Sequence, residues 1–431
     1  MSTSKSPLNI LISGSGIAGP CLAFWLQKLI PTCTITILER SPVPRHGGQA
    51  VDLRSASVPI VSKMGLLDAV RDKATTEEGV QFVHADGKTK ATFAASGNVE
   101  AQSATSEFEV LRGDLAKIFM DATQAMDRIS YVFDEMISSI DQQDNGKALV
   151  SFANRLPTAH YDLIVGADGM MSRTRRLVFG RGPNDDEYIY RLGQYAALFT
   201  MPSTEQDTKL AQWYNASRGR ILLLRPDSYG NTRAYVGVTD SNLSRFDHID
   251  EVMRKGSRDE QEAWFEKEFE GGGFESERCI REMKKADDFY LQQIAQVKMD
   301  RWSEGRVALL GDAAYCPSPI SGVGAGSAVI GAYVLAGEVS RSQDNIPYAL
   351  KQYEKTLRPY VEKAQRLIPG APQIINPQTE WGVWALNKTT SIASSSLMKS
   401  FGGIIGRFLP AFGGTDYLLP DYEGSSTQLK V

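Results

Sequence analysis

Cysteine and histidine are scarce in this chain of 431 residues, four of each. Cys21, Cys33, Cys279 and Cys316 stand far apart with neither CxxC nor CxH spacing. That excludes a zinc ribbon and a disulfide framework, and points to a reducing, cytoplasmic setting with no metal. His46, His84, His160 and His248 fall in loops or at strand ends, where ordinary surface or capping roles suffice. No Ser-His-Asp or Cys-His signature accompanies them, so nucleophilic hydrolysis has no carrier. A block of basic residues is also missing. Lys and Arg number 47 against 51 acidic residues, a net charge of −4, which argues against nucleic acid as a partner because phosphate neutralisation needs clustered cations. No apolar run reaches the roughly 18 residues that cross a bilayer; Ala325 to Gly337 is too short and too rich in glycine. The opening MSTSKSP is polar and lacks a secretory pattern. Residues 401–412, FGGIIGRFLPAF, are apolar for a terminus. Packing over a substrate cavity or against a second copy is favoured there over lying on a membrane, and a monomer or homodimer is expected.

What is present organises itself around residues 8–40. Leu8 to Ile12 reads as a strand, Gly14-Ser15-Gly16-Ile17-Ala18-Gly19 as a glycine turn, the run to Leu29 as a helix, and Thr34 to Leu38 as a second strand ending at Glu39-Arg40. Strand, turn, helix, strand and terminal acid together make a dinucleotide fingerprint. Gly14 serves the tight turn, Gly16 lets backbone approach a pyrophosphate, and Gly19 lets helix pack on strand. The helix start beside Ala18 offers free N–H groups and a positive dipole end. Glu39 stands where a carboxylate accepts from ribose hydroxyls.

Further on, Pro42, Pro44 and a glycine pair mark a loop before Ala50-Val51-Asp52-Leu53-Arg54. Helical spacing is expected to about Lys73, strands over 79–110 around Asp86-Gly87, and a helix from Leu111 to about Ala125 that opens with Arg112. Strands at 129–133 and 147–152 flank a polar turn, and Tyr161 to Val165 runs into Gly166-Ala167-Asp168-Gly169. Asp168 can equally be a turn or cap residue. Arg173, Arg175 and Arg176 read most simply as a surface patch. From Tyr188 to Thr239 aromatic and β-branched residues predict an antiparallel sheet, and 258–270 an acidic amphipathic helix. Val307 to Leu310 leads into Gly311-Asp312, and Gly322, Gly324 and Gly326, with Ala325 between, open a long small-residue helix. A helix over 347–368 follows. The expected fold is α/β: a Rossmann-type domain with an interleaved antiparallel sheet and a C-terminal helical region. The divisions fall at 1–75, 109–184 and 291–345 for the nucleotide-binding parts, 76–108 and 185–290 for the sheet, and 346–431 for the helical end.

GSGIAG with Glu39-Arg40, VGADGMMSR, and RVALLGDAAYCPSPISGVGAG together resemble the three fingerprints of the single-component FAD-dependent aromatic hydroxylases, the para-hydroxybenzoate hydroxylase type. GGQAVDLR and the compact length resemble the tetracycline-inactivating monooxygenases and tailoring oxidases of natural-product pathways. The resemblance implies that Gly14, Gly16, Ala18 and Gly19 cradle the FAD pyrophosphate while Glu39 and Arg40 hold its adenosine side. It gives Arg112 the phosphate or ribityl region, Gly311 and Asp312 the ribityl chain, and the Gly322, Gly324 and Ala325 loop the flavin ring. Asp168 and Gly169 belong to a motif tied to FAD and NADPH; Asp52 and Arg45 match less cleanly. Tyr315, Ser318, Gly326 and Gly331 depart from the family, where His, Pro, Asn and Asp are common.

The implied activity is NADPH- or NADH-driven insertion of oxygen from O2, through a flavin hydroperoxide, into a bulky aromatic or polycyclic metabolite. A flavin reductase or oxidase without oxygen insertion is the alternative. Gln194, Tyr195, Trp213, Tyr214 and Asn215, on the predicted sheet, are candidates for the substrate wall, with core positions the plainer reading for at least half of them.

Overall fold

The computed structural model describes residues 7–44, 47–75, 77–94, 108–142, 146–182, 188–393 and 417–424. Arg45, His46 and the apolar segment 401–412 lie outside the described residues. The first part contains β1 (Asn9–Ser13), α1 (Ala18–Leu29), β2 (Thr34–Glu39), β3 (Ala50–Asp52), α2 (Ser57–Lys63), α3 (Leu67–Arg71), β4 (Gly79–Val83) and β5 (Thr89–Ala94). Next come β6 (Glu109–Leu111), α4 (Arg112–Gln124), β7 (Ile129–Phe133), β8 (Ile137–Gln142), β9 (Ala148–Phe152), β10 (Ala159–Tyr161), β11 (Leu163–Gly166) and α5 (Arg173–Phe179). The sheet region holds β12 (Ile189–Pro202), β13 (Ala211–Ala216), β14 (Arg220–Pro226), β15 (Asn231–Thr239), α6 (Asp247–Lys255), α7 (Arg258–Phe269), α8 (Ser276–Met283) and β16 (Tyr290–Val297). The last part has β17 (Ser303–Glu304), β18 (Val307–Leu309), α9 (Asp312–Tyr315), α10 (Gly324–Arg341), α11 (Ile346–Ala364), α12 (Ala371–Ile375) and α13 (Glu380–Ala393).

Two large sheets carry the molecule. In the first, β18, β11, β1, β2 and β7 are parallel neighbours in that order, with the short β17 antiparallel at one edge. Their continuous apolar runs are what a sheet covered on both faces requires: Ile10, Leu11, Ile12, Ile35, Ile37, Leu163, Ile164 and Val165 are fully buried. Helices α1, α10 and α11 share one hydrophobic cluster with this sheet, and the small residues of α10 let α1 approach closely. The second sheet runs β16-β12-β15-β14-β13-β4-β5. Strands β4 and β5, early in the chain, thus complete a sheet whose remaining strands come after residue 188.

Local details depart from the expectations in three places. The helix expected up to Lys73 is two, because Gly65 at φ +74° turns the chain between α2 and α3. Between strands 129–133 and 147–152 the chain forms a further strand, β8, and β9 pairs with β8 and β10. At the C-terminal end, beyond α11 to α13, residues 417–424 form an extended strap over the nucleotide-type half. The Tyr422 ring covers Gly337, where a Cβ would overlap it, and Glu423 pairs with Lys28 and Lys63 at 2.7 and 2.6 Å.

Candidate functional site

The three glycine turns meet at the start of α1. Gly14 has φ +114°, and a Cβ there would collide with the Ala167 carbonyl and lie 3.1 Å from Asp168 Cα. A Cβ on Gly19 would overlap the Gly14 carbonyl, whereas one on Gly16 would meet nothing within 4 Å. Gly14 and Gly19 are therefore demanded by internal packing, and Gly16 borders open space. Gly311, at φ +64°, lies against Ala18 and Ala328, with a would-be Cβ 3.4 and 3.5 Å from their Cβ atoms. Backbone bonds fasten the strands beneath: Gly14 N to Leu38 O, Ala167 N to Ser13 O and Leu310 N to Gly166 O, at 2.8, 2.8 and 2.9 Å. The first turn of α1 carries no acidic side chain, so its N–H groups and dipole are left to an external anion.

Glu39 reaches this turn from the end of β2. One oxygen accepts from Ser15 N and Ser15 Oγ at 3.2 and 3.0 Å, the other from Ser41 N at 2.9 Å. Arg40 beside it is exposed. Asp52 pairs with Arg54 at 2.7 Å and borders one small cleft with Gly322, Val323, Gly326 and Tyr360. Gly322 is left-handed at φ +67°, and a Cβ on Gly324 would meet open space, while Ala325 is buried in the first turn of α10.

Asp312 opens α9 directly after Gly311. Burial raises its carboxyl above the usual range; Arg112 opposes this, and the Cys316 thiol is hydrogen-bonded to it. Burial, then the Asp312 charge, pushes the Cys316 thiol well up in turn. Arg112 itself is exposed, its side chain packed over Gly48, where a Cβ would stand 3.1 Å from Arg112 Cβ. A desolvated acid facing a solvent-reaching guanidinium across a bare backbone turn suits a polyhydroxyl phosphate ester.

Asp168 takes the capping role. Its Oδ1 accepts from Ser172 Oγ at 2.5 Å and its Oδ2 from Thr174 N and Thr174 Oγ1 at 2.9 Å each, all at the start of α5. Gly169, at φ +80°, turns the chain beside it. The arginine patch needs correction, because Arg175 is fully buried. It donates to Ala313 O at 2.8 Å and Met170 O at 2.6 Å, locking the second glycine turn to α9. The family departures have local causes. The Tyr315 hydroxyl fills the space a Cβ at Gly331 would take, and Ser318 sits at φ +82°, which a proline ring cannot adopt.

The second sheet presents two unlike faces. Tyr195, Ala197, Phe199, Tyr214, Leu222, Leu224, Ala234, Val236 and Val238 pack outward against Phe246, Trp264, Phe265, Phe269 and Met283 of the α6–α8 region. The other face is set by register: Phe82, Trp213, Leu223, Tyr235, Leu198 and Tyr290 are successive cross-strand partners, and direct partners share a face. Tyr290 is near Arg112 and the Gln49 backbone, and Gln49 Nε2 donates to Ala234 O at 3.3 Å, so this inner face looks toward the nucleotide-type half. Arg225 clamps the two halves with Glu77 at 2.7 Å and Glu109 at 2.5 Å.

The sheet candidates therefore divide. Tyr195 belongs to the outer face, where its hydroxyl donates to Asp250 and accepts from Gln293; Tyr214 is likewise outward, donating to Gly272 O at 2.8 Å. Neither can line an inner wall. Gln194 and Asn215 are buried, Asn215 donating to Asn376 Oδ1 at 2.9 Å. Trp213 lies inward, stacked on Phe82 at 5.6 Å, and its indole N–H is buried with no acceptor among the described residues. Tyr235, Tyr290, Phe82 and Leu223 escaped the sequence reading. They lie on four other strands, and only the sheet register ties them to Trp213. His84, His160 and His248 are exposed, and no metal-ligating cluster occurs among the described residues.

Residues 8–366 match the family profile described as FAD binding domain. A FAD-dependent monooxygenase of Sarocladium schorii is 34% identical over 96% of this chain and 98% of its own length. A flavin-dependent monooxygenase of a Phoma species is 35% identical over 97% and 98%. Among solved structures, the tetracycline destructase Tet(51) superposes with a TM-score of 0.75 at 28% identity, covering 97% of this chain and all of that one. A Klebsiella pneumoniae HpxO variant complexed with FAD shares the fold, with a TM-score of 0.68 at 20% identity over 94% of this chain and 99% of its own.

Proposed function

The chain belongs to the FAD-binding-domain family and is a FAD-dependent monooxygenase, and from that premise we propose that it uses NADPH or NADH with O2 to hydroxylate or epoxidise a bulky aromatic or polycyclic metabolite on the inner face of its second sheet. The observation that carries this is the meeting of three glycine turns at α1, with Asp312 and Arg112 between them and the aromatic row of the sheet. The donor set fits FAD: Gly16 and Gly324 leave room for close approach, the first turn of α1 lacks an internal anion, and Asp312 is a desolvated acceptor. Gly14, Gly16, Ala18 and Gly19 would hold the pyrophosphate, Glu39 and Arg40 the adenosine side, and Asp52, Gly322 and Ala325 the ring end. When bound, FAD carries electrons from the nicotinamide to O2, so no protein nucleophile is required.

The protein's share is orientation, desolvation and proton control. Phe82, Trp213 and Leu223 supply a flat apolar wall that stacks a ring and excludes water. The Trp213 indole N–H offers a directed donor to a substrate oxygen. Burial, and then the nearby Tyr290, raises the Tyr235 phenol, which keeps its proton on Oη and makes it a donor, not a base. A neighbour whose name gives tetracycline as its target supports a fused-ring substrate. A cytoplasmic location completes the proposal, supported by four buried free cysteines. Among the described residues no helix is long and apolar enough to cross a membrane.

The test is to purify the yellow protein and measure NADPH oxidation and O2 consumption together across a panel of polycyclic phenols. Coupled, substrate-stimulated consumption of both is expected. NADPH oxidation of equal rate without O2 would replace the monooxygenase with a reductase. Asp312→Ala is expected to emerge colourless; stoichiometric FAD in that variant would remove Asp312 from the flavin site.

A further inference from the structure

A second cavity lies on the other side of the sheet. It has a volume of about 690 Å³, within the roughly 300–1,000 Å³ of small-molecule sites. Its walls are Lys90 of β5, Tyr214 and Ala216 of β13, Arg220 of β14, the loop Gly271-Gly272-Gly273, and Trp384 of α13. Tyr214 and Ala216 belong to the outward cluster, so this space is separated by the sheet from the inner face and from Arg112. Its position does not depend on the flavin reading.

The charge around this cavity is unbalanced. Arg220 is only 7% exposed, yet its bonds go to carbonyls: Nε to Ser217 O at 3.0 Å and Nη1 to Glu270 O at 3.2 Å. The nearby Glu268 is held by Arg245 at 2.5 Å and by Arg218 at 3.3 Å. Lys90 donates to Asn387 Oδ1 at 3.1 Å and stands 5.8 Å from the Tyr214 ring centroid. Burial lowers its pKa, as expected of a desolvated ammonium. Among the described residues, His84 and Lys388 also border the space, with Glu380 the one carboxylate there. Trp384 is 55% exposed, with Lys388 above its ring at 5.9 Å. The glycine loop keeps one wall low, since a Cβ on Gly271 would meet nothing within 4 Å.

We propose that this cavity is a second small-molecule site that binds an aromatic carboxylate, its ring against Trp384 and Tyr214 and its carboxylate between Arg220 and Lys90. A guanidinium fork with a neighbouring ammonium matches a planar carboxylate, and an exposed indole offers a stacking face. The anion would neutralise two cations whose hydrogen-bond partners among the described residues are neutral oxygens.

The site is tested by isothermal titration of the FAD-loaded protein with 2-naphthoate, using 2-naphthamide as the neutral isostere. The carboxylate is expected to bind one to one and about tenfold more tightly than the amide. Lys90→Gln and Arg220→Gln should each weaken it about tenfold, and Trp384→Ala several-fold. Arg220 also braces two loops, so Lys90→Gln keeps the test decisive if the arginine variant fails to fold. Equal affinity for acid and amide, undiminished affinity in Lys90→Gln, or no saturation at millimolar ligand would each overturn the proposal. So would a shift of the bound flavin's visible spectrum that persists in Lys90→Gln, since that marks binding at the inner face.

Discussion

The nucleotide-type half and the sheet half are built under different kinds of constraint. Around α1, backbone meets backbone, and the residue type follows from what a Cβ would strike: Gly14 and Gly19 have no alternative, and Arg175 spends its guanidinium on two carbonyls. On the seven-stranded sheet, backbone bonding is satisfied by any residue, and only the covering layer distinguishes Tyr195 from Tyr235. The first kind of constraint is strict and local, while the second depends on distant packing. Substitutions should therefore fail differently in the two halves: loss of fold or cofactor in one, separable losses of stability or substrate affinity in the other.

The largest effect is expected at Gly14. Valine there must leave φ +114° and clear the Ala167 carbonyl, so Gly14→Val should cost about 4 kcal/mol or more and yield protein without flavin. Absorbance of the purified variant reports FAD per chain. Retention of stoichiometric FAD with an unshifted unfolding midpoint would erase the claimed contrast between the halves.

Glu135 gives an intermediate case on the same side. It is 1% exposed, and its carboxylate accepts from the N–H groups of Met136, Ala153, Asn154, Arg155 and Leu156 at 2.8 to 3.1 Å. Burial alone would raise its pKa, but the N–H groups of Arg155, Leu156, Asn154 and Met136 outweigh that and hold it to about 2. Glu135→Gln, with one acceptor oxygen left, is expected to lose about 2 kcal/mol. A depressed carboxylate stabilises the fold above its unfolded pKa of about 4.3 and loses that stabilisation as pH falls through the folded value. The gap in denaturation midpoint between wild type and variant should therefore be constant above about pH 5 and close toward pH 2. A gap that persists unchanged to pH 2 would show that the loss does not come from the carboxylate's charge.

Legibility followed the same division. The three glycine turns, the Gly311-Asp312 step and six strands of the seven-stranded sheet could be read from local pattern, because tight turns and alternation leave marks within a few residues; β16 could not, and it carries the sheet past the expected division at 290 by pairing with β12. Arg175 could not, since its carbonyl partner Ala313 is far along the chain. Nor could the pairing of Tyr315 with Gly331, or the strap whose Tyr422 depends on Gly337. Gly65 was visible, but its left-handed turn was hidden inside an apolar period that ran on through it. Side-chain chemistry alone does not separate Tyr195 and Tyr214 from Tyr235, because it is blind to face. A residue two places along shares a face, one place along does not, and which face is inner is decided by α6 to α8 arriving later in the chain.

The smallest and sharpest test uses two hydroxyls on opposite faces. Tyr195 donates to Asp250, which Arg191 also holds at 2.6 Å, and accepts from Gln293, so Tyr195→Phe removes two buried bonds, while Gln293 keeps its own bond to Asp250 at 3.1 Å. The substitution should cost about 1 kcal/mol of stability with kcat and KM unchanged. The Tyr235 hydroxyl makes no hydrogen bond among the described residues, and its ring lies over Gly237 on the inner face. Tyr235→Phe should leave the unfolding midpoint where it was and raise KM about fivefold, the worth of one hydrogen bond to substrate. Chemical denaturation and steady-state kinetics on both variants complete the cross. If Tyr195→Phe alters KM while Tyr235→Phe alters only stability, the faces have been assigned the wrong way round, and the substrate sits under α6 to α8, not opposite Arg112.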